Sequence, residues 1–319
     1  MQIHLPNSAF LGNIDPFLRS FDPQNPQELR ITANKKWISI HPLVLAMTAA
    51  AGLEAKPDQR HCQELTAKSK HYLDRMKLFD LLDMPSKMEV TEHESAGRFI
   101  PLTQIKNSED LSWFVTEMVP LLHLEPRHAQ TIRYVVSELI RNVLEHARSP
   151  HGAIVAAQYY AKSNTIRIGI ADRGVGVKKS ISQSHAVTTD MDAVQLALTP
   201  GITGTTAREG GTDINAGAGL FFIKSIATVN KDFFVMYSGS SLYKLLKSSS
   251  QRIRLFADPF KDRHSKDDSL PYWQGTAVGI DINLDSSREF SELLDAIHDT
   301  YIEAIKERKK KKYRRPRFE

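Results

Sequence analysis

Three short patterns in one fixed order constrain this chain more than its bulk composition does. They are Glu138-x3-Asn142-x3-His146, then Asp172-x-Gly174-x-Gly176, then a Gly/Thr-rich stretch that ends Gly217-Ala218-Gly219-Leu220. The first steps by four residues, so its polar side chains form a slanted row along one edge of a helix. The second follows the alternating run TIRIGIA (165–171), which puts its carboxylate at a strand end, and its glycines let the backbone turn sharply. The third leads into 221–227 (FFIKSIA), which reads as a helix. Glycines and small hydroxyl residues before a helix N-terminus leave free N–H groups that favour an anion. The fold must therefore set a long helix, a strand end and a glycine-rich loop around one space.

Each pattern supplies something that Mg-ATP needs. The amide oxygen of Asn142 is a hard ligand suited to Mg²⁺, which keeps several waters and shares phosphate oxygens. Glu138, one turn earlier, is placed to polarise a water or a hydroxyl for attack on the γ-phosphate. Asp172 can accept a hydrogen bond from the exocyclic amine of adenine, where guanine presents a carbonyl. The stretch 199–220, with Gly204, Thr205, Gly217, Gly219 and Leu220, offers backbone to phosphates and the makings of a mobile lid. Phosphoryl transfer asks the protein mainly for positioning and charge neutralisation, so few residues suffice. Taken singly, each pattern also has an ordinary reading: an amphipathic helix with a polar border, a turn, a surface loop. His146 stays open between a phosphate contact and a helix C-terminal histidine that favours the dipole.

The remaining chain gives these patterns a frame. With 319 residues and 41% hydrophobic composition, one large or two ordinary domains with real cores can form. Residues 29–32 and 37–40 give short extended signals, 41–55 a helix with Pro42 in its first turn, and 63–82 a second helix. Together 1–95 reads as a small α/β regulatory or interaction domain, with a polar connector at 83–97. Helices follow at 107–122, capped by Asn107 or Ser108, and at 125–148, where Ile132, Val136, Leu139, Ile140 and Val143 share one face. Strands are expected at 153–160, 165–171, 233–237, 252–256 and 276–284, and a charged helix at 287–312. The pattern predicts a two-layer α/β sandwich with a mixed sheet over 99–286, then a charged C-terminal helix and basic tail over 287–319.

Several classes are excluded. Cys62 is the single cysteine, which rules out an intrachain disulfide and a cysteine-only metal site; an inert, half-buried thiol is expected. No run of eighteen apolar residues exists, no membrane role is expected, and the N-terminus lacks the pattern of a secretory signal, so the cytoplasm is the expected location. A Walker-type loop, zinc-ligand spacing and a Gly-x-Ser-x-Gly elbow are absent. The net charge of +5 is concentrated at 306–317 (KERKKKKYRRPR). That run is either a solvated end or a contact for nucleic acid or an acidic partner.

In this order, SELIRNVLEHA, IADRGVGV and GAGLFFIKSIA resemble the asparagine box and two glycine boxes of the histidine-kinase-like ATPase family, shared by gyrase, the large heat-shock chaperones, sensor kinases and MutL. The resemblance covers about 99–286. It implies the Bergerat ATP-binding fold, with Mg²⁺ on Asn142, adenine on Asp172, and Gly174, Gly176, Gly217 and Gly219 shaping the pocket. Glu138 matches the position where the ATPase and serine-kinase branches place their base. Phe221-Phe222 stands where the family usually continues with Gly-Leu. His71 lacks the acidic neighbour and paired helix of a sensor kinase's phosphoacceptor, and the layout is most similar to the anti-sigma-factor serine kinases. The N-terminal order of elements resembles STAS-like modules. The resemblance implies a cytoplasmic Mg-ATP-binding regulator that hydrolyses ATP or phosphorylates a partner protein, with lid closure gating that interaction. A non-catalytic ATP-dependent switch and a nucleic-acid-associated factor using the basic tail are the alternatives, and a homodimer is compatible with the sequence.

Overall fold

The computed structural model describes residues 1–86, 98–204, 206, 217–248, 253–285 and 290–312. Its strands fall into two sheets. β1 (Gln2–Leu5), β2 (Leu29–Ala33) and β3 (Arg60–Cys62) pair in parallel in that order. The larger sheet holds β4 (Phe99–Ile105), β5 (Ala153–Tyr160), β6 (Thr165–Ala171), β7 (Phe234–Gly239), β8 (Ser241–Leu245), β9 (His264–Asp267) and β10 (Trp273–Asn283). Its order is β4-β5-β6-β10-β7-β8-β9, and every pairing is antiparallel. The N-terminal region adds helices α1 (Asp15–Ser20), α2 (Pro42–Glu54), α3 (His71–Arg75) and α4 (Leu78–Leu81). Beyond it come α5 (Ser108–Trp113), α6 (Pro126–Asn142), α7 (Gly176–Ile181), α8 (Asp190–Ala197), α9 (Gly219–Val229) and α10 (Phe290–Lys312).

The α/β sandwich expected from the sequence is present. Strands send alternate side chains to opposite faces. Ile166, Ile168 and Ile170 of β6, with Val278, Ile280 and Ile282 of β10, share a core with α6, α7, α8, α9 and α10. Ile154, Ala156, Ala171, Val235 and Ala277, from the other face, share a second core with α2 and the small sheet. The N-terminal region therefore covers the back of the large sheet. A strand buried on both faces reads as a nearly continuous apolar run, as TIRIGIA does.

Glycine makes this junction close. Gly169 of β6 lies opposite Gly279 of β10, and a Cβ on Gly169 would stand 2.1 Å from the Leu43 amide nitrogen. Helix α2 is buried on all sides from Pro42 to Gly52, as a helix held between two sheets must be. His41 caps it: Nδ1 accepts from the Leu43 N–H at 3.0 Å, which leaves Nε2–H to donate to Asp281 at 3.1 Å. Burial pushes the His41 pKa down, consistent with a neutral ring in this role.

Four expectations change. The helix over 63–82 is two short ones, because Lys77 adopts φ 58 between α3 and α4. Residues 37–40 are not a strand. Asn34 Oδ1 accepts the amides of Lys36 and Trp37, and Ser69 Oγ bonds both the N–H and the C=O of Ile38. The described part of 252–256 is not a strand either, since β9 occupies the edge beside β8. The helix over 107–122 is α-helical only to Trp113; a π turn and a 3-10 turn follow, ending at His123 with φ 49. Asn107 is its cap, accepting from Glu109 and Asp110. The Cys62 thiol is pushed up to about 11 by burial, as expected of an unreactive cysteine. Among the described residues, no helix is long and apolar enough to cross a membrane.

Candidate functional site

The polar row on α6 opens the site. Ile132, Val136, Leu139 and Ile140 are buried, which fixes the rotation of the helix and turns Glu138 and Asn142 to one border of the apolar stripe. In a regular α-helix a step of four overshoots a full turn, so a third member of the row would drift off the face. Here α6 passes at Val143–Ala147 into a π turn. A π turn holds more residues, so the step from Asn142 to His146 falls short of a turn and offsets the drift. Glu138, Asn142 and His146 all line one cavity of about 500 Å³.

The other walls come from the strand end and the glycine-rich stretch. Asp172 closes β6 and is 1% exposed. Its Oδ1 accepts from the Gly174 N–H at 2.7 Å, and the Thr276 N–H of the neighbouring β10 also bonds the carboxylate. Burial outweighs these bonds and pushes the Asp172 pKa up to about 7. Gly176 (φ +76), Gly204, Gly217, Gly219 and Leu220 line the cavity as well. Gly174 stands behind the wall: a Cβ there would meet the Ala147 carbonyl oxygen at 2.0 Å, and Val175 N–H bonds that same oxygen at 2.7 Å. The first glycine pattern thus holds the strand end against the end of the α6 row.

The glycine-rich stretch is pinned at its base. The Gly201 N–H donates to the Gly217 carbonyl at 2.9 Å, and Gly217 takes φ +64. Thr205 and residues 207–216 lie outside the described residues. Helix α10 grips this base, with Arg308 donating to the Pro200 carbonyl and Ile305 packed on Gly201. Phe221 and Phe222 are buried, and Phe222 meets Tyr134 of α6 and Tyr301 of α10 at 6.4 and 6.0 Å. The aromatic pair at this point of the second glycine box therefore anchors α9 between α6 and α10. One turn on, buried Lys224 donates to Asp262 at 2.5 Å and to the Phe256 carbonyl at 3.1 Å, tying α9 to the segment before β9.

At the N-terminus of α9 two patterns touch. A Cβ on Gly219 would stand 2.7 Å from Glu138 Oε2 and 3.7 Å from Asn142 Nδ2. Asn142 Nδ2 donates to the Glu138 carbonyl at 2.8 Å, so its amide oxygen is left as an acceptor. Glu138 is pushed up by burial, and Arg141, at 3.1 Å, pulls it back down. Gly219→Ala should place a methyl on the carboxylate, the far end of a flexible side chain. The fold should keep its Tm within a few degrees, while any ATP turnover that depends on Glu138 should fall by about 10²-fold from the displaced group. Unchanged turnover would show that the position of Glu138 beside Gly219 is irrelevant.

The donor set also bears on Mg²⁺. Among the described residues no cluster of three His, Cys, Asp or Glu side chains could hold a metal by itself. One free amide oxygen beside one carboxylate suits a cation that arrives with the nucleotide and keeps water and phosphate oxygens.

Sequence reasoning missed Thr276, Tyr134, Arg141 and Thr203 in the cavity wall. Arg141 was legible as the i,i+3 charge partner of Glu138. Gly275-Thr276 inside a strand run was a weaker cue: Gly275 has φ +104, and a Cβ there would meet the Asp172 carbonyl oxygen at 2.2 Å.

No curated protein and no solved structure matches the chain. Residues 109–230 match the family model of the histidine kinase-like ATPase domain, a span that holds the α6 row, Asp172 and the start of α9. This part of the chain is an ATP-binding domain of the histidine kinase-like type, set in a sheet that extends beyond it to β10.

Proposed function

We propose that the chain is an Mg-ATP-dependent regulator that hydrolyses ATP or transfers its γ-phosphate to a hydroxyl of a partner protein. The observation that carries this reading is the contact of Glu138 with Gly219 in the cavity that Asp172 closes at its other wall. Adenine on Asp172 directs the phosphates toward the N-terminus of α9, where free N–H groups and the helix dipole favour them. Asn142 presents its amide oxygen to Mg²⁺, which shields phosphate charge when bound. Glu138 takes the proton of the attacking water or hydroxyl. The Gly201–Gly217 bond and the α10 contacts at Pro200 and Gly201 hold the base of the glycine-rich stretch beside this cavity, as nucleotide-dependent gating of a partner would require.

Purified protein incubated with γ-labelled ATP should release labelled phosphate or, with its partner present, pass label to that partner. Binding of ATP without either product would favour the non-catalytic switch. Arg141 gives a sharper check on Glu138. Because Arg141 opposes the burial that raises the Glu138 pKa, Arg141→Met should raise it further. The acid limb of the kcat profile should then move to higher pH, and Arg141→Lys should restore it. An unmoved limb would remove Glu138 as the titrating base.

A further inference from the structure

A second pocket lies at the seam between the N-terminal region and the edge of the large sheet. It measures about 490 Å³ and shares no lining residue with the ATP cavity. Arg75, at the end of α3, and Arg98, just before β4, both line it. Neither guanidinium has an ion-pair or hydrogen-bond partner among the described residues, and Arg75 Nε is shut off from solvent with no acceptor. A buried donor left unpaired costs free energy, which an acceptor from solution would recover. Among the described residues no carboxylate lines the pocket to fill that role.

The surroundings favour one kind of acceptor. Gln158 spends its side-chain oxygen on the Tyr160 hydroxyl at 2.9 Å, so its amide group remains a donor. Phe99, Tyr159 and Met76 supply apolar wall. The two sides are held in place: Leu102 N–H bonds the Met76 carbonyl at 3.0 Å, and Tyr159 N–H bonds the Arg98 carbonyl at 2.8 Å. Two planar guanidiniums match the paired oxygens of a phosphate or carboxylate, and the aromatic side chains match a flat ring.

We propose that this pocket binds a small ligand bearing one oxyanion group, phosphate or carboxylate, on a flat apolar body. Such a ligand touches both the N-terminal region and the ATPase sheet, so it stabilises their junction by mass action.

Phenyl phosphate, benzoate and inorganic phosphate serve as probes, titrated calorimetrically into the full chain saturated with Mg²⁺ and a non-hydrolysable ATP analogue to block the first cavity. Phenyl phosphate or benzoate should bind at one site per chain, and the tighter of the two identifies the oxyanion. Inorganic phosphate should bind at least about tenfold more weakly, since it lacks the ring. Arg75→Met and Arg98→Met should each weaken binding by about tenfold or more, the loss expected for one charge-assisted hydrogen bond. Arg98 is exposed and has no partner among the described residues, so Arg98→Met should melt like the parent and keep the test valid if Arg75→Met folds poorly. The proposal is overturned if neither aromatic probe binds, if both variants bind as the parent does, or if inorganic phosphate binds as tightly as phenyl phosphate.

Discussion

Glu138→Gln should lower ATP turnover by about 10²- to 10⁴-fold, the usual contribution of a positioned general base, while the protein still binds ATP. Gln keeps the volume that packs beside Gly219 and the backbone carbonyl that holds Asn142. It loses only the ability to take a proton. Burial raises the pKa of this carboxylate, which would make it a stronger base than an exposed glutamate, and Arg141 opposes that rise. Turnover and nucleotide affinity should be measured on the same preparation. A variant that turns over ATP as the parent does would reject Glu138 as base; one that no longer binds ATP would show instead that the side chain holds nucleotide.

Asp172→Asn should weaken ATP binding by about 10- to 100-fold, the range for a lost hydrogen bond to a charged group. The carboxylate offers two oxygens, and backbone N–H groups of Gly174 and Thr276 already bond it. An asparagine has one acceptor oxygen, so either a backbone donor or the adenine amine must face its NH₂. The pH dependence follows from the same environment. With a pKa of about 7 in the ATP-free chain, Asp172 is about half ionised at neutrality. On the proposed adenine contact ATP bonds the ionised form, so affinity should be level well above pH 7 and fall by up to about tenfold per unit below it. In the ATP-free chain the sign for stability is the reverse. The folded pKa lies above the unfolded one, so this group's contribution is fully present below about pH 4 and lost as pH rises through 7. Affinity measured from pH 5.5 to 8.5 checks the first statement, and a flat profile would show that the carboxylate is not bonded to the ligand.

The long helix was legible because its apolar residues recur at helical spacing and fix its buried face, and the β5–β6 hairpin because its residues alternate about a turn at Asn164. Asp172 was legible as a strand-end carboxylate for the same reason. Elements that depend on distant partners were not. β9 takes the edge that 252–256 would have filled, a contest between two segments that neither one records. The break at Lys77 serves the packing of α3 and α4, and a left-handed lysine has no local signature.

By itself the sequence determined which residues can meet around one cavity, because local spacing on a helix and at a strand end sets which way side chains face. The tertiary structure alone decided how they meet. The π turn after Asn142 keeps His146 in the cavity wall, Gly219 brings α9 onto the Glu138 carboxylate, and Thr276 arrives from a strand about a hundred residues after Asp172. It also decided that the N-terminal region covers the back of the sheet, since α2 can bury all its sides only between two sheets. Such contacts depend on chain closure and packing, which no local pattern encodes.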